Sequence, residues 1–394
     1  MDDATPLGEP GALDGLLVAD FTRVLAGPYC TMLLADLGAD VIKVERPGTG
    51  DDTRTWGPPY ADDGQATYFL AVNRNKRSVV LDLATPEGRA LALELVRRAD
   101  VVIENFSPGV MERLGIGWDV VHAENPNAVY CSITGFGHHH GRLPGYDLLV
   151  QAMGGLMSVT GDGRPTKVGV ALIDVITGLH AAFGVLAALR HRDATGAGQR
   201  GDVDLMMTSL AVLTNQSSAY VSAGVVPTPM GNRHPSIAPY ETFDAADRQI
   251  ALACGNDKQF RTLCSVLGLT DLLDDERFST NPARVVHADE LDDILTAVFR
   301  TEGADHWHDV LTEAGVPCGP VNDIAEAFLL AEHLGIEATA EVPTLDGGVL
   351  RQVADPVRLS ATPATYRSAP PRLGADTDEV IAWLRDGSDG GTAQ

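Results

Sequence analysis

Asp174 is the side chain in this sequence with the most chemistry open to it. It stands in Gly169-Val-Ala-Leu-Ile-Asp174-Val-Ile-Thr-Gly178, where a short apolar run reads as a strand feeding the first turn of a helix. Leu179, Ala182, Phe183, Leu186 and Leu189 follow at the spacing of a helix face that packs inward. An acid at this place has two jobs open to it. It can cap the helix by accepting orphan backbone N–H bonds. Held ionised by the helix terminus, it can instead attack a carbonyl and form a covalent acyl intermediate.

Other residues could serve such a reaction. The Tyr146 hydroxyl can donate to a developing oxyanion or simply pack. Trp56, after a Gly-rich loop, is either a core residue or a lid over a ligand. Only four of the basic residues are lysines, and two of them, Lys43 and Lys76, stand beside arginines in VIKVER and NRNKRS. Positive clusters on an acidic chain point to pockets for an anionic ligand such as a nucleotide phosphate. Gly135-Phe-Gly-His-His-His-Gly141 superficially fits a dinucleotide turn, but Pro144 and the lack of a helical pattern after it argue against nicotinamide. Neighbouring histidines on a loop rarely converge on one ion, so His138, His139 and His140 read as a solvated loop. The five cysteines are scattered with no CxxC pair, which argues against zinc.

The elements that must carry these residues alternate. Strands are expected at 16–20, 41–45, 78–82, 101–104 and 128–133, with helices between them. Thr85-Pro86 marks one helix start through a cap and an N1 proline. This pattern predicts an α/β fold with a Rossmann-like doubly wound parallel sheet, whose ligands sit at the carboxyl ends of the strands. Arg46, Asn105, Gly135 and Asp174 all fall just after expected strands and so share one rim. The expected organisation is a large domain at 1–224, a Pro/Gly/Asn-rich linker at 225–239, a smaller α+β domain at 240–330, and a return segment at 331–394 packing on the large domain. Residues 1–10 are polar and expected to fray.

A net charge of −25 over 394 residues disfavours nucleic acid and anionic membrane as partners. An odd number of cysteines and a polar N-terminus suit reduced thiols in the cytoplasm. No apolar run reaches the ~18 residues expected of a membrane span.

Taken in order, these pieces resemble the class III CoA-transferase family (CaiB/BaiF type), which has α-methylacyl-CoA racemases as a branch. The matching residues are Asp20-Phe-Thr with Ala26-Gly-Pro28, Leu37-Gly-Ala-Asp-Val-Ile-Lys-Val-Glu45, Gly50-Asp51 with Thr53-Arg54, and Asn75-Lys-Arg-Ser78. They continue through Glu104-Asn-Phe with Pro108-Gly109, Gly145-Tyr-Asp147, the Asp174 stretch, Gly196-Ala-Gly-Gln199 and Gly319-Pro-Val321. The resemblance implies an intertwined homodimer and makes Asp174 the nucleophile. It implies that Arg46, Leu81, Asn105, Phe106 and Arg113 fall where coenzyme A is held, with Leu25 and Ala26 near the thioester, and Lys76 of the basic cluster is assigned to the same ligand. Trp56 and Tyr146 match active-site positions.

The implied reaction passes CoA from an acyl-CoA to a carboxylic acid through aspartyl intermediates, with CoA as carrier and with no metal or nicotinamide. The racemase branch has a histidine where this chain has Tyr146. A phenol with a pKa of ~10 is a poor base at pH 7, which favours transfer over racemisation. A CoA-binding paralogue in which Asp174 only caps its helix is the third reading.

Overall fold

The computed structural model describes residues 11–140 and 143–386. The N-terminal decapeptide and Gly141 of the glycine–histidine turn lie outside the described residues. The chain divides into two compact units. The first comprises residues 1–156, 168–223 and 337–394, and the second 157–167 and 224–336. The second unit thus takes in 157–167, which the sequence reading left in the large domain, and the whole 225–239 segment.

The first unit is built on a six-stranded sheet of β1 (Leu17–Asp20), β2 (Asp40–Glu45), β3 (Lys76–Val80), β4 (Val101–Glu104), β5 (Val129–Thr134) and β6 (Arg200–Asp204). The order is β3-β2-β1-β4-β5-β6 and every pair is parallel. Side chains alternate across it, so two cores form. Val18, Val41, Val101 and Ile103 pack with the helices Ala26–Asp36 and Leu172–Thr195. Ala19, Ile42, Val79 and Val102 pack on the other face with Leu95 of the helix Pro86–Arg98 and with Val380 and Leu384 of the helix Thr377–Arg385. The C-terminal segment therefore returns to the first unit. It also carries a hairpin of β7 (Thr339–Pro343) and β8 (Val349–Val353).

Two expectations are corrected. The run at 169–171 is not a strand, and the helix begins at Leu172. The sixth strand is Arg200–Asp204, which extends the sheet beside β5 in the register Tyr130↔Arg200. The inward face of the Leu172–Thr195 helix is also not the one expected. Ala181, Ala182, Val185, Ala188 and Leu189 are buried, whereas Leu179, Phe183 and Leu186 are exposed. Small residues face inward because the helix lies very close to its neighbour: a Cβ on Gly178 would stand 2.6 Å from the carbonyl oxygen of Ala26. By length and composition this helix is apolar enough to cross a membrane, yet half of it is buried in the fold, as in the core helix of a globular unit.

The second unit holds an antiparallel sheet of the strands Tyr240–Asp244, Gln249–Ala253 and Cys318–Pro320. Phe243, Ile250, Phe260, Leu263, Leu295 and Phe299 form its core. Its helices obey local rules. Asn256 and Thr280 cap theirs, and Asp323 with Glu326 makes a full capping box.

Candidate active site

All the parallel strands end at one edge of the sheet, and the strand order reverses between β1 and β4. Loops leaving those two strands diverge there and leave a crevice. A cavity of about 540 Å³ occupies this place, lined by Arg23, Leu25, Ala26, Trp56, Asn105, Phe106, Tyr146 and Asp174 among others. A smaller one of about 220 Å³ is lined by Arg46, Leu81 and Asp82 and shares Arg23 and Phe106 with the first. The structure thus brings Asp174, Tyr146, Leu25, Ala26, Trp56, Asn105 and Phe106 to one cavity, and places Arg46 and Leu81 on the adjoining one.

Asp174 is the third residue of its helix and is half-buried. It does not cap the helix. That task falls to Asp147, whose Oδ1 accepts the N–H groups of Ile173 (2.8 Å) and Asp174 (3.2 Å). Gln151 donates to the other oxygen of Asp147 (2.6 Å) and accepts the N–H of Val168 (2.9 Å), tying the segment before the helix to the same point. Among the described residues no group donates to the Asp174 carboxylate.

Two effects then act on its charge. Burial in the cavity wall desolvates it, and the Asp147 carboxylate repels it. Burial first and Asp147 second raise its pKa to about 7. The expectation that the helix terminus keeps this acid fully ionised is corrected. The first-turn N–H groups are bonded to Asp147, and little of their stabilisation reaches Asp174.

The rest of the cavity is held by backbone approach. A Cβ on Gly135 would fall 2.4 Å from the Cα of Gly145, so the loop carrying Tyr146 lies directly on the end of β5. Tyr146 is 60% exposed. Trp56 meets Tyr68 edge-on at 5.4 Å. The helix Ala26–Asp36 has no side-chain cap, and Pro28 lacks an N–H. The N–H groups of Leu25, Ala26 and Gly27 have no partner among the described residues, leaving donors beside Asp174 for an oxygen that gains charge.

Other residues are placed differently from expectation. Lys76 is fully buried, donating to Asp20 (3.3 Å), the Pro28 carbonyl (2.9 Å) and Asn73 (3.0 Å). Burial pulls its pKa down to about 8. Lys43 is equally buried and pairs with Asp51 at 2.9 Å. The clusters read as anion pockets are internal ion pairs. Asn105 spends its amide on the backbone of Arg23, accepting the N–H (2.9 Å) and donating to the carbonyl (2.7 Å). Arg46 pairs with Asp52 and bonds Thr49. Arg113 is exposed on the short helix Val110–Leu114 and lines neither cavity. His138 leaves the solvated loop to pair with Asp202 (2.7 Å). No group of three or more metal-binding side chains occurs among the described residues.

Three residues escaped the sequence reading. Tyr68 belongs to an unremarkable apolar helix. Asp147 sits inside a quoted motif and Arg23 directly after one, but no spacing reveals whose backbone Asp147 caps. Arg23 is the one lysine or arginine among the described lining residues of the larger cavity, held loosely by Asp52 at 3.4 Å.

The family model for CoA-transferase family III matches residues 13–377. The chain belongs to that family. It is similar to succinate–glutarate CoA-transferase of Agrobacterium fabrum, with 45% identity over 386 residues, covering 94% of this chain and 95% of the relative. Acetyl-CoA:oxalate CoA-transferase of Acetobacter aceti is 43% identical, with 98% of each chain covered. A crystal structure of a CaiB/BaiF family protein from Brucella suis superposes with a TM-score of 0.86 at 42% identity, covering 95% of this chain and all of that one. This family III chain is an acyl-CoA:carboxylate CoA-transferase, with CoA as the group carried.

Proposed function

We propose that this CoA-transferase moves CoA from an acyl-CoA to a dicarboxylic acid, with Asp174 as its nucleophile. The observation that carries the reading is an uncompensated carboxylate on a cavity wall, beside unpaired N–H groups, with its capping duty taken over by Asp147. An ionised Asp174 attacks the thioester carbonyl, its C–S bond breaks, and a mixed anhydride and CoA thiolate form. The thiolate attacks the aspartyl carbonyl, releasing the first acid and leaving an aspartyl-CoA thioester. The acceptor carboxylate attacks that thioester, giving a second anhydride and thiolate. The thiolate then attacks the acceptor's acyl carbon and frees Asp174. One thioester replaces another, and a poorly hydrated carboxylate is the stronger nucleophile for it.

Each of the two similar transferases is named for at least one dicarboxylic acid, succinate and glutarate in one and oxalate in the other, the latter with an acetyl donor. Arg23, loosely paired in a cavity that also holds Asp174 and Asp52, is the cation available there to an anionic substrate. The test is to incubate the protein with succinyl-CoA and hydroxylamine and map the hydroxamate. A hydroxamate at Asp174, absent without CoA ester, supports the reading; CoA exchange with no adduct at that residue refutes it.

We also propose that the chain works as a homodimer. Leu179, Phe183 (73% exposed) and Leu186 make an apolar stripe on the outer face of their helix, and Met207, Leu210 and Tyr220 are exposed further along. Such a stripe calls for a partner. Sedimentation of the wild type as a dimer and of Phe183→Asp as a monomer is expected; a monomeric wild type refutes it. The five free cysteines, four of them buried, fit the cytoplasm, where we place the enzyme.

A further inference from the structure

The turn from β1 into the first helix carries Leu25 and Ala26 to the cavity, and its backbone is unusual. Val24 has a φ of +69°, a left-handed conformation costly for a β-branched residue. Three side chains, one on β2 and two in the loops that follow β2 and β4, hold four neighbouring backbone groups. Lys43 donates to the Thr22 carbonyl (2.9 Å). Asn105 takes the N–H and carbonyl of Arg23. Asp51 accepts the N–H of Val24 on both carboxylate oxygens (3.2 and 3.3 Å).

Asp51 is itself fixed on every side. Its ion pair with Lys43 is fully buried. It also accepts the N–H (3.0 Å) and hydroxyl (2.8 Å) of Thr53, and its own N–H donates to Glu45 (2.8 Å). Burial alone would raise its pKa, but Lys43 and Thr53 hold its carboxyl down at about 2, so it stays charged.

We propose that the buried pair Lys43–Asp51 is a positioning device. It forces Val24 into the left-handed region and so sets where Leu25 and Ala26 stand relative to Asp174. A backbone outlier that its surroundings over-determine, at the wall of a cavity, is the kind of strain that functional sites store. The inference rests on the transferase reading for its kinetic arm only.

The test uses the full chain in two arms. In the first, Val24→Gly and Val24→Ala are compared by thermal unfolding. Both lose nearly the same packing, but only glycine adopts a positive φ freely. Val24→Gly is expected to unfold about 2 °C or more above Val24→Ala; equal or reversed temperatures overturn the proposal.

In the second arm, Asp51→Asn is expected to lower kcat by about tenfold or more, a larger change than that in the KM for the CoA ester, because the turn beside Asp174 shifts. Adding Val24→Gly should recover most of that loss, since glycine takes the conformation unaided. A double variant as slow as Asp51→Asn overturns the proposal. The unfolding arm needs no turnover and stands even if Asp51→Asn fails to fold. Absence of CoA transfer in the wild type would sink the transferase reading and leave the unfolding contrast to judge the turn.

Discussion

The helix that carries Asp174 and the helix behind Leu25 begin differently from the helices that carry their own caps. In the second unit Asn256, Thr280 and Asp323 cap their own helices, although the helices Ala288–Phe299 and Ala304–Glu313 have no side-chain cap, and the helix Pro86–Arg98 of the first unit starts on Thr85 with proline behind it. Three helices at the cavity start on Leu25, Tyr146 and Ala171, none of which supplies a side-chain cap, while a fourth, Leu205–Val212, starts on Asp204, which accepts the N–H of Met207. Capped starts satisfy the orphan N–H groups locally and leave nothing for a ligand. Uncapped starts either borrow a cap from elsewhere, as the Asp174 helix borrows Asp147, or leave donors free, as at Leu25 to Gly27. At Leu25 and Ala171 such a break in local consistency falls on the cavity wall.

Substitutions can break or sharpen this contrast. The largest effect is expected at the borrowed cap's neighbour: Asp174→Ala should lower kcat for CoA transfer by about three orders of magnitude or more, measured by exchange between succinyl-CoA and labelled acid.

The pH dependence comes next. Attack needs the ionised form, so activity of the wild type should fall about tenfold per unit as pH drops below 7, with a single ionisation near the raised value of Asp174. Stability runs the other way. An acid whose pKa is higher folded than unfolded adds no cost below its unfolded value near 3.8, and the cost grows until pH passes about 7. Asp174→Asn should thus match the wild type in acid and exceed it by roughly 1 to 3 kcal/mol above pH 7, seen in urea unfolding at both pH values.

Asp147→Asn keeps an oxygen for the helix N–H groups and removes the repelling charge. The acid limb of the rate profile should move down by about one pH unit while the fold persists. Unfolding without that shift would mean that the cap, and not the charge, is what matters at this residue. The smallest effect belongs to the ordinary cap: Asp323→Ala should cost about 1 kcal/mol in urea unfolding and leave transfer kinetics unchanged.

The doubly wound sheet was legible because its strands are short apolar runs punctuated by caps, prolines and glycines, and those signals are local. Val41 to Glu45 and Val101 to Glu104 became strands as read. The edge strand Arg200–Asp204 was not legible, since its charged, half-exposed residues carry no apolar run and its place is set by β5 beside it. The Leu172–Thr195 helix shows the same limit. Both of its faces are apolar, so periodicity could not tell the side pressed on the Ala26 carbonyl from the side left open.

Residue types alone determined that this chain is an α/β protein with an acid at a helix start and a polar rim at the strand ends. They also carried the ordered motifs of a CoA-transferase. Tertiary structure alone decided what each charge is for. Lys43 and Lys76 lie inside the protein because Asp51, from the loop after β2, and Asp20, from β1, meet them there. Asp147, and not Asp174, caps the helix because a loop distant in sequence folds over its first turn. A charge's partner is fixed by distance in space, and sequence records only distance along the chain.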